Sequence, residues 1–67
     1  MDDINALRTQ AINAAIKTTS DVAEAHYEAT VAILDRAAHH MMNGDQGRAM
    51  ELHDIAHDMY EQTERTN

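Results

Sequence analysis

The chain has 67 residues and no cysteine, and its formal charge is −7 at pH 7. This length predicts a single small domain over residues 1–67, and the missing cysteine excludes disulfide bonds and thiolate metal ligands. The acidic balance argues against non-specific DNA binding, because DNA phosphates and an acidic surface repel each other.

Two features of the sequence bear on where the protein works. The first residues, Met1, Asp2 and Asp3, lack the basic start of a secretory signal. The longest uncharged apolar runs are much shorter than the roughly 20 residues that a membrane-spanning helix needs. We therefore expect a soluble, cytoplasmic protein with no membrane partner.

The first predicted element is one long helix over about residues 3–42. Apolar residues recur there at steps of three and four, which is the spacing of an amphipathic helix. The frequent alanines have the highest helix propensity of any residue. An unbroken helix of this length would span roughly 60 Å. Its apolar stripe includes Ile4, Leu7, Ala11, Val22, Ala29, Ile33 and Ala37.

Residues 17–21 leave an alternative open. They combine β-branched side chains with Thr19, Ser20 and Asp21, which can cap a new helix. Because no glycine or proline enforces a break, we predict the continuous helix. A break would instead give a three-helix bundle, with helices near residues 3–17, 20–42 and 46–65.

Gly44 and Asp45 mark the clearest interruption of the helical pattern. Glycine accepts the left-handed conformation that ends a helix, and an aspartate accepts hydrogen bonds from the N–H groups that open the next one. We predict a turn at residues 43–46 and a second helix over about residues 47–65. Its apolar seam has heptad spacing and consists of Ala49, Leu52, Ala56, Met59 and Thr63.

The long first helix carries more apolar surface than a shorter second helix can cover. The predicted fold is therefore all-α, an antiparallel helical hairpin that dimerises into a four-helix arrangement. Apolar side chains that remain exposed are expected to bind a protein partner. The predicted partner-binding residues are Tyr27, Val31, Leu34, Met41 and Met42.

The five histidines suggest a metal site. His53 and His57 are four residues apart on one helix face, a spacing that can chelate a metal ion. Folding about Gly44 could bring Asp35 to them as a third ligand. The sequence therefore offers a zinc site formed by His53, His57 and Asp35, with solvated or carboxylate-paired histidines as the alternative.

The second helix and the turn residues just before it contain the pattern Asp45-Gln46, Glu51, Leu52-His53-Asp54, Ala56, Asp58 and Tyr60. This pattern resembles the second helix of Rop-type plasmid copy-number regulators. The resemblance implies a helical hairpin that dimerises into a four-helix bundle and binds paired RNA loops. The RNA-contacting residues of those regulators lie on their first helix, and none is carried across, because the first arm here has no phenylalanine and few basic residues.

The sequence does not contain a nucleophile elbow, a glycine-rich phosphate loop or a catalytic triad. We therefore predict that the protein is not an enzyme and uses no cofactor, with zinc at His53, His57 and Asp35 as the alternative. The predicted function is that of a small acidic regulator or inhibitor, which binds another protein through an exposed apolar helical surface with an acidic rim. The alternatives are a Rop-like RNA-binding regulator and a His/Asp metal-binding bundle.

Overall fold

Three helices form the fold. The computed structural model describes residues 2–66, and its helices are α1 (Asp2–Lys17), α2 (Asp21–Met42) and α3 (Gln46–Thr66). All regular elements in that range are helical, which confirms the all-α prediction. The predicted hairpin is wrong, and so is the four-helix arrangement of paired hairpins, because residues 3–42 form two helices. The chain instead adopts the three-helix arrangement that the sequence had left as the alternative.

Side-chain hydroxyl groups make the break between α1 and α2. The Thr18 N–H still donates to the Ala14 carbonyl at 2.9 Å, which completes the last turn of α1. Ser20 is extended, with φ −94° and ψ 121°, and its Oγ accepts from the Ala23 N–H at 3.1 Å. The Ser20 N–H in turn donates to Thr18 Oγ1 at 3.2 Å. These bonds satisfy backbone groups that would otherwise favour continuing the helix.

The turn between α2 and α3 is built around a glycine in the left-handed region. Gly44 has φ 84°, and its N–H donates to the Met41 carbonyl at 3.1 Å. The Asp45 N–H donates to the His40 carbonyl at 2.9 Å, which completes a Schellman motif. Asp45 Oδ1 then accepts from the Arg48 N–H at 3.1 Å and caps α3. The chain therefore reverses direction within three residues.

The central helix is α2, which packs against both α1 and α3, while α1 and α3 make few contacts with each other. The principal-axis extents are 37 × 17 × 15 Å, in keeping with the roughly 33 Å length of a helix of the size of α2. Half-buried residues such as Leu52 and Tyr60 surround the main core cluster. That cluster consists of Ile4, Leu7, Leu34, Ala37 and Ala56.

Small side chains fill the interface between α2 and α3. Thr30 Oγ1 donates to the His26 carbonyl at 2.8 Å. Thr63 Oγ1 donates to the Met59 carbonyl, also at 2.8 Å. Both buried hydroxyl groups are therefore satisfied within their own helices, and the interface tolerates threonine in a core position. The buried small residues at heptad spacing are Ala23, Thr30 and Ala37 of α2 and Ala49, Ala56 and Thr63 of α3.

Candidate functional site

An apolar groove runs along the outer side of the seam between α1 and α2. It has a volume of about 280 Å³. Ile16 is its most exposed apolar residue, with 76% of its surface accessible. A large aliphatic side chain exposed in a groove indicates a binding site more strongly than a single apolar side chain on a flat surface does, because a groove can receive another apolar surface. The residues that line it are Ile12, Ala15 and Ile16 of α1 and Glu24, Glu28 and Val31 of α2.

The groove follows from the way α1 is divided between two apolar stripes. The inner stripe, Ile4, Leu7 and Ala11, is buried. Ile12 and Ile16 are four residues apart and therefore lie on one face of the helix, displaced from the inner stripe. Because α3 packs mainly on α2 and scarcely touches α1, it does not cover this second stripe.

The two ends of the groove differ in charge. Arg8 Nε donates to Asp35 Oδ1 at 2.7 Å, and this ion pair connects α1 to α2. Both side chains are substantially exposed, so we assign the pair at most about 1 kcal/mol of stability. Towards the loop between α1 and α2, Glu24 and Glu28 are exposed carboxylates on the rim.

The five predicted partner-binding residues do not form one surface. Tyr27 and Leu34 are fully buried, so in this structure a partner cannot reach them. Met41 is half-buried and packs against the core, whereas Met42 is 78% exposed next to the turn. Val31 is half-buried and is the one member of the set that lines the groove. The physical reason is that α1 folds back over α2 and α3 packs on it, which covers the stripe that a continuous helix would have left open.

A carboxylate shared by two tyrosines joins α2 to the end of α3. The Tyr27 hydroxyl donates to Glu64 Oε2 at 2.6 Å, and the Tyr60 hydroxyl donates to Glu64 Oε1 at 3.0 Å. The two tyrosine rings are tilted by 51°, with centroids 5.8 Å apart. Burial raises the pKa of Tyr60 above its ordinary value. The hydrogen bond to Glu64 and the electrostatic effects of Glu64 and Tyr27 raise this pKa further. The Tyr60 phenol is therefore held as a protonated hydrogen-bond donor at neutral pH.

A polar cleft separates α1 from α3 next to this cluster. It has a volume of about 270 Å³ and is lined partly by Gln10, Asn13 and Lys17 of α1 and by Tyr60 and Glu64 of α3. Polar side chains on both walls explain why α1 and α3 do not close against each other here. The apolar groove is thus on one side of α1 and the polar cleft is on another.

The structure does not bring the predicted zinc ligands together. The rings of His53 and His57 stack with centroids 6.3 Å apart, but Asp35 is held by Arg8. His53 Nδ1 is buried without a hydrogen-bond partner, and its nearest carboxylate oxygen, on Asp54, is 3.7 Å away.

Among residues 2–66, one other group has the composition of a metal site. The ligand atoms of His57, Asp58 and Glu61 lie within 4.8 Å of one another, and all three residues are exposed. Exposed acidic groups of this kind are common on helices, and Glu61 also lies near Arg65, at 4.0 Å. Zinc binding stays a prediction.

Most of the basic side chains are already paired with carboxylates. Arg8 pairs with Asp35, Arg48 lies 3.5 Å from Glu51, and Arg65 lies 4.0 Å from Glu61. Within the described part of the chain, Lys17 and Arg36 have no carboxylate at ion-pair distance. Phosphate binding depends on available cations, so the structure offers little electrostatic support for RNA binding, which stays a prediction.

Comparison with known proteins adds no assignment. The chain matches no protein-family model, and no curated protein or solved structure is significantly similar to it. Between residues 2 and 66, none of the helices combines the length and hydropathy of a membrane span.

Sequence reasoning missed the groove residues other than Val31. The signal was present in the two isoleucines, Ile12 and Ile16, whose spacing places them together but off the main apolar stripe. Glu24 and Glu28 have the same spacing on α2. Their proximity to the isoleucines depends on the break at residues 18–20, so the pattern becomes a groove only once α1 folds back.

Proposed function

We propose that this protein is a non-enzymatic regulator that acts by binding an amphipathic helix of another protein in the groove between α1 and α2. The observation that carries the proposal is the exposure of Ile16 in a groove whose other apolar lining residues are Ile12, Ala15 and Val31. Occupation of the groove would cover the apolar face of the bound helix and so block its other interactions.

The shape of the groove supports a helical occupant. Two antiparallel helices form its walls, and a third helix laid between them can insert apolar side chains at positions i, i+3 or i+4, and i+7. A standard interface buries about 800 Å² on each partner, which is roughly a fifth of the 4428 Å² surface of this chain. The contact must therefore extend from the groove onto the outer faces of α1 and α2.

Charge supports a foreign partner over a second copy of this chain. Each copy carries a formal charge of −7, and pairing two grooves would bring the Glu24 and Glu28 rims of both copies together. Like charges in close contact oppose association. A partner with basic or neutral flanks does not meet this repulsion.

Ser20 and the two tyrosines already make structural hydrogen bonds, which supports a non-enzymatic role. Ser20, the only serine, uses its Oγ to cap α2. Tyr27 and Tyr60 both donate to Glu64. The absence of cysteine is compatible with a reducing compartment, and we place the activity in the cytoplasm.

The test is a titration of the isotope-labelled protein with a designed amphipathic peptide of about five helical turns, roughly 18 residues, followed by NMR. We expect amide shifts concentrated at Ile12, Ile16 and Val31, and Ile16→Glu should weaken binding by at least about tenfold because it places a charge in the apolar contact. Ile55→Glu is the matched control, since Ile55 is a half-exposed isoleucine on α3 outside the groove. Equal affinities for the two variants, or shifts confined to α3, would show that the proposed surface is wrong.

A further inference from the structure

We infer that the helix bound in the α1/α2 groove is cationic at one end, and that its basic residues lie against Glu24 and Glu28. This inference rests on the proposed function and adds to it the charge of the partner segment and its orientation. It follows from the difference between the two ends of the groove.

One end of the groove is neutral. Arg8 lies one turn before Ile12 on α1, and Asp35 lies one turn after Val31 on α2. The 2.7 Å ion pair between Arg8 and Asp35 therefore closes this end and compensates its two charges internally. A partner helix gains nothing there from a net charge of either sign.

The opposite end of the groove carries uncompensated negative charge. Glu24 and Glu28 are four residues apart, exposed, and on the groove side of α2. Asp21, also exposed, precedes Glu24 by three residues. Within residues 2–66, no basic side chain lies at ion-pair distance from any of these carboxylates. Two carboxylates one turn apart match two lysine or arginine side chains one turn apart on a facing helix.

Lys17 does not cancel this charge, although it directly follows Ile16. Its side chain lines the polar cleft between α1 and α3, together with Tyr60 and Glu64. The acidic end of the groove is therefore free to attract a basic partner segment. Such attraction acts mainly on the rate of association and on the choice of partner.

The inference is tested with three peptides that share one apolar ridge and differ in one pair of residues, four apart, at one end. The pair is two lysines, two glutamines or two glutamates. We expect the lysine peptide to bind about fivefold more tightly than the glutamine peptide at low salt, and the glutamate peptide to bind most weakly. The differences should shrink at high salt, which screens exposed charges.

Two double variants locate the effect. Glu24→Gln with Glu28→Gln should abolish the preference for the lysine peptide. Asp54→Asn with Asp58→Asn should preserve it, because this pair has the same spacing and exposure but lies on α3. A spin label beside the two lysines should broaden the amide signals near Asp21 and not those near Arg8.

The outcomes separate this inference from the proposed function. If the three peptides bind equally well and Ile16→Glu still abolishes binding, the charge inference is overturned and the groove remains the binding site. If the spin label broadens signals at the Arg8 end, the orientation is overturned. If none of the peptides binds, the proposed function is overturned, and the inference with it.

Discussion

Tyr27→Phe is expected to destabilise the protein more than Tyr60→Phe, although both hydroxyl groups donate to the same carboxylate. Tyr27 is fully buried and its bond to Glu64 is 2.6 Å long, whereas Tyr60 is half-buried and its bond is 3.0 Å long. A hydrogen bond to a charged group contributes about 1.5–3 kcal/mol, and a typical hydrogen bond about 0.5–1.5 kcal/mol. Because Glu64 itself is exposed, we expect about 1.5 kcal/mol for Tyr27→Phe and about 0.5 kcal/mol for Tyr60→Phe.

Urea and thermal unfolding followed by circular dichroism measure this difference. In a domain of this size, about 1.5 kcal/mol corresponds to a decrease in Tm of about 6–12 °C. A double-mutant cycle with Glu64→Ala isolates the bond from other effects of each substitution, and the coupling energy should be about 1 kcal/mol for Tyr27 and smaller for Tyr60. Equal losses of stability in the two phenylalanine variants would refute the argument that burial sets the strength of these bonds.

Two further predictions concern the cap of α2 and alkaline pH. Ser20→Ala removes the acceptor for the Ala23 N–H and should lower the free energy of unfolding by about 1 kcal/mol; unchanged hydrogen exchange at that amide would contradict it. Since the pKa of Tyr60 is raised in the folded state, the unfolded chain loses this proton first, and the free energy of unfolding should fall as the pH rises above about 10. Tyr60→Phe should make this fall shallower, and an equally steep decline would exclude Tyr60 as its source.

The turn could be predicted from sequence and the break in the first helical segment could not. Gly44 and Asp45 fix the conformation of the turn through local interactions. Gly44 adopts a positive φ, and the Asp45 carboxylate caps α3. At Ser20, local preferences for a helix break and for a continuous helix are nearly equal. The cap contributes only about 1 kcal/mol, and the neighbouring residues also tolerate a helix. Burial of Ile4 and Leu7, at about 1.5–3 kcal/mol each, then decides the balance, since a continuous helix within one chain would hold them away from Leu34, Ala37 and Ala56, with which they form the core.

The same long-range effect explains the errors in the predicted site. Tyr27 and Leu34 lie on a stripe that is exposed only if the first helix is continuous, and they are fully buried once it folds. The pattern of apolar residues identifies which side chains share a face of a helix. It does not identify which face is covered, because that depends on the angle and register of a helix that packs from elsewhere in the chain. For this reason Ile16 is the exposed residue of the second stripe of α1, next to the half-buried Ile12.

The break at Ser20 lets α1 fold back, which buries part of the apolar surface of the chain and leaves the rest exposed. In a closed three-helix bundle, α1 would pack equally on α2 and α3. Here polar side chains line both walls of the cleft between α1 and α3. Because α1 packs mainly on α2, its second stripe remains on the outside. The apolar groove and the polar cleft therefore both follow from one feature of the packing, which is that α1 rests mainly on α2 and not between α2 and α3.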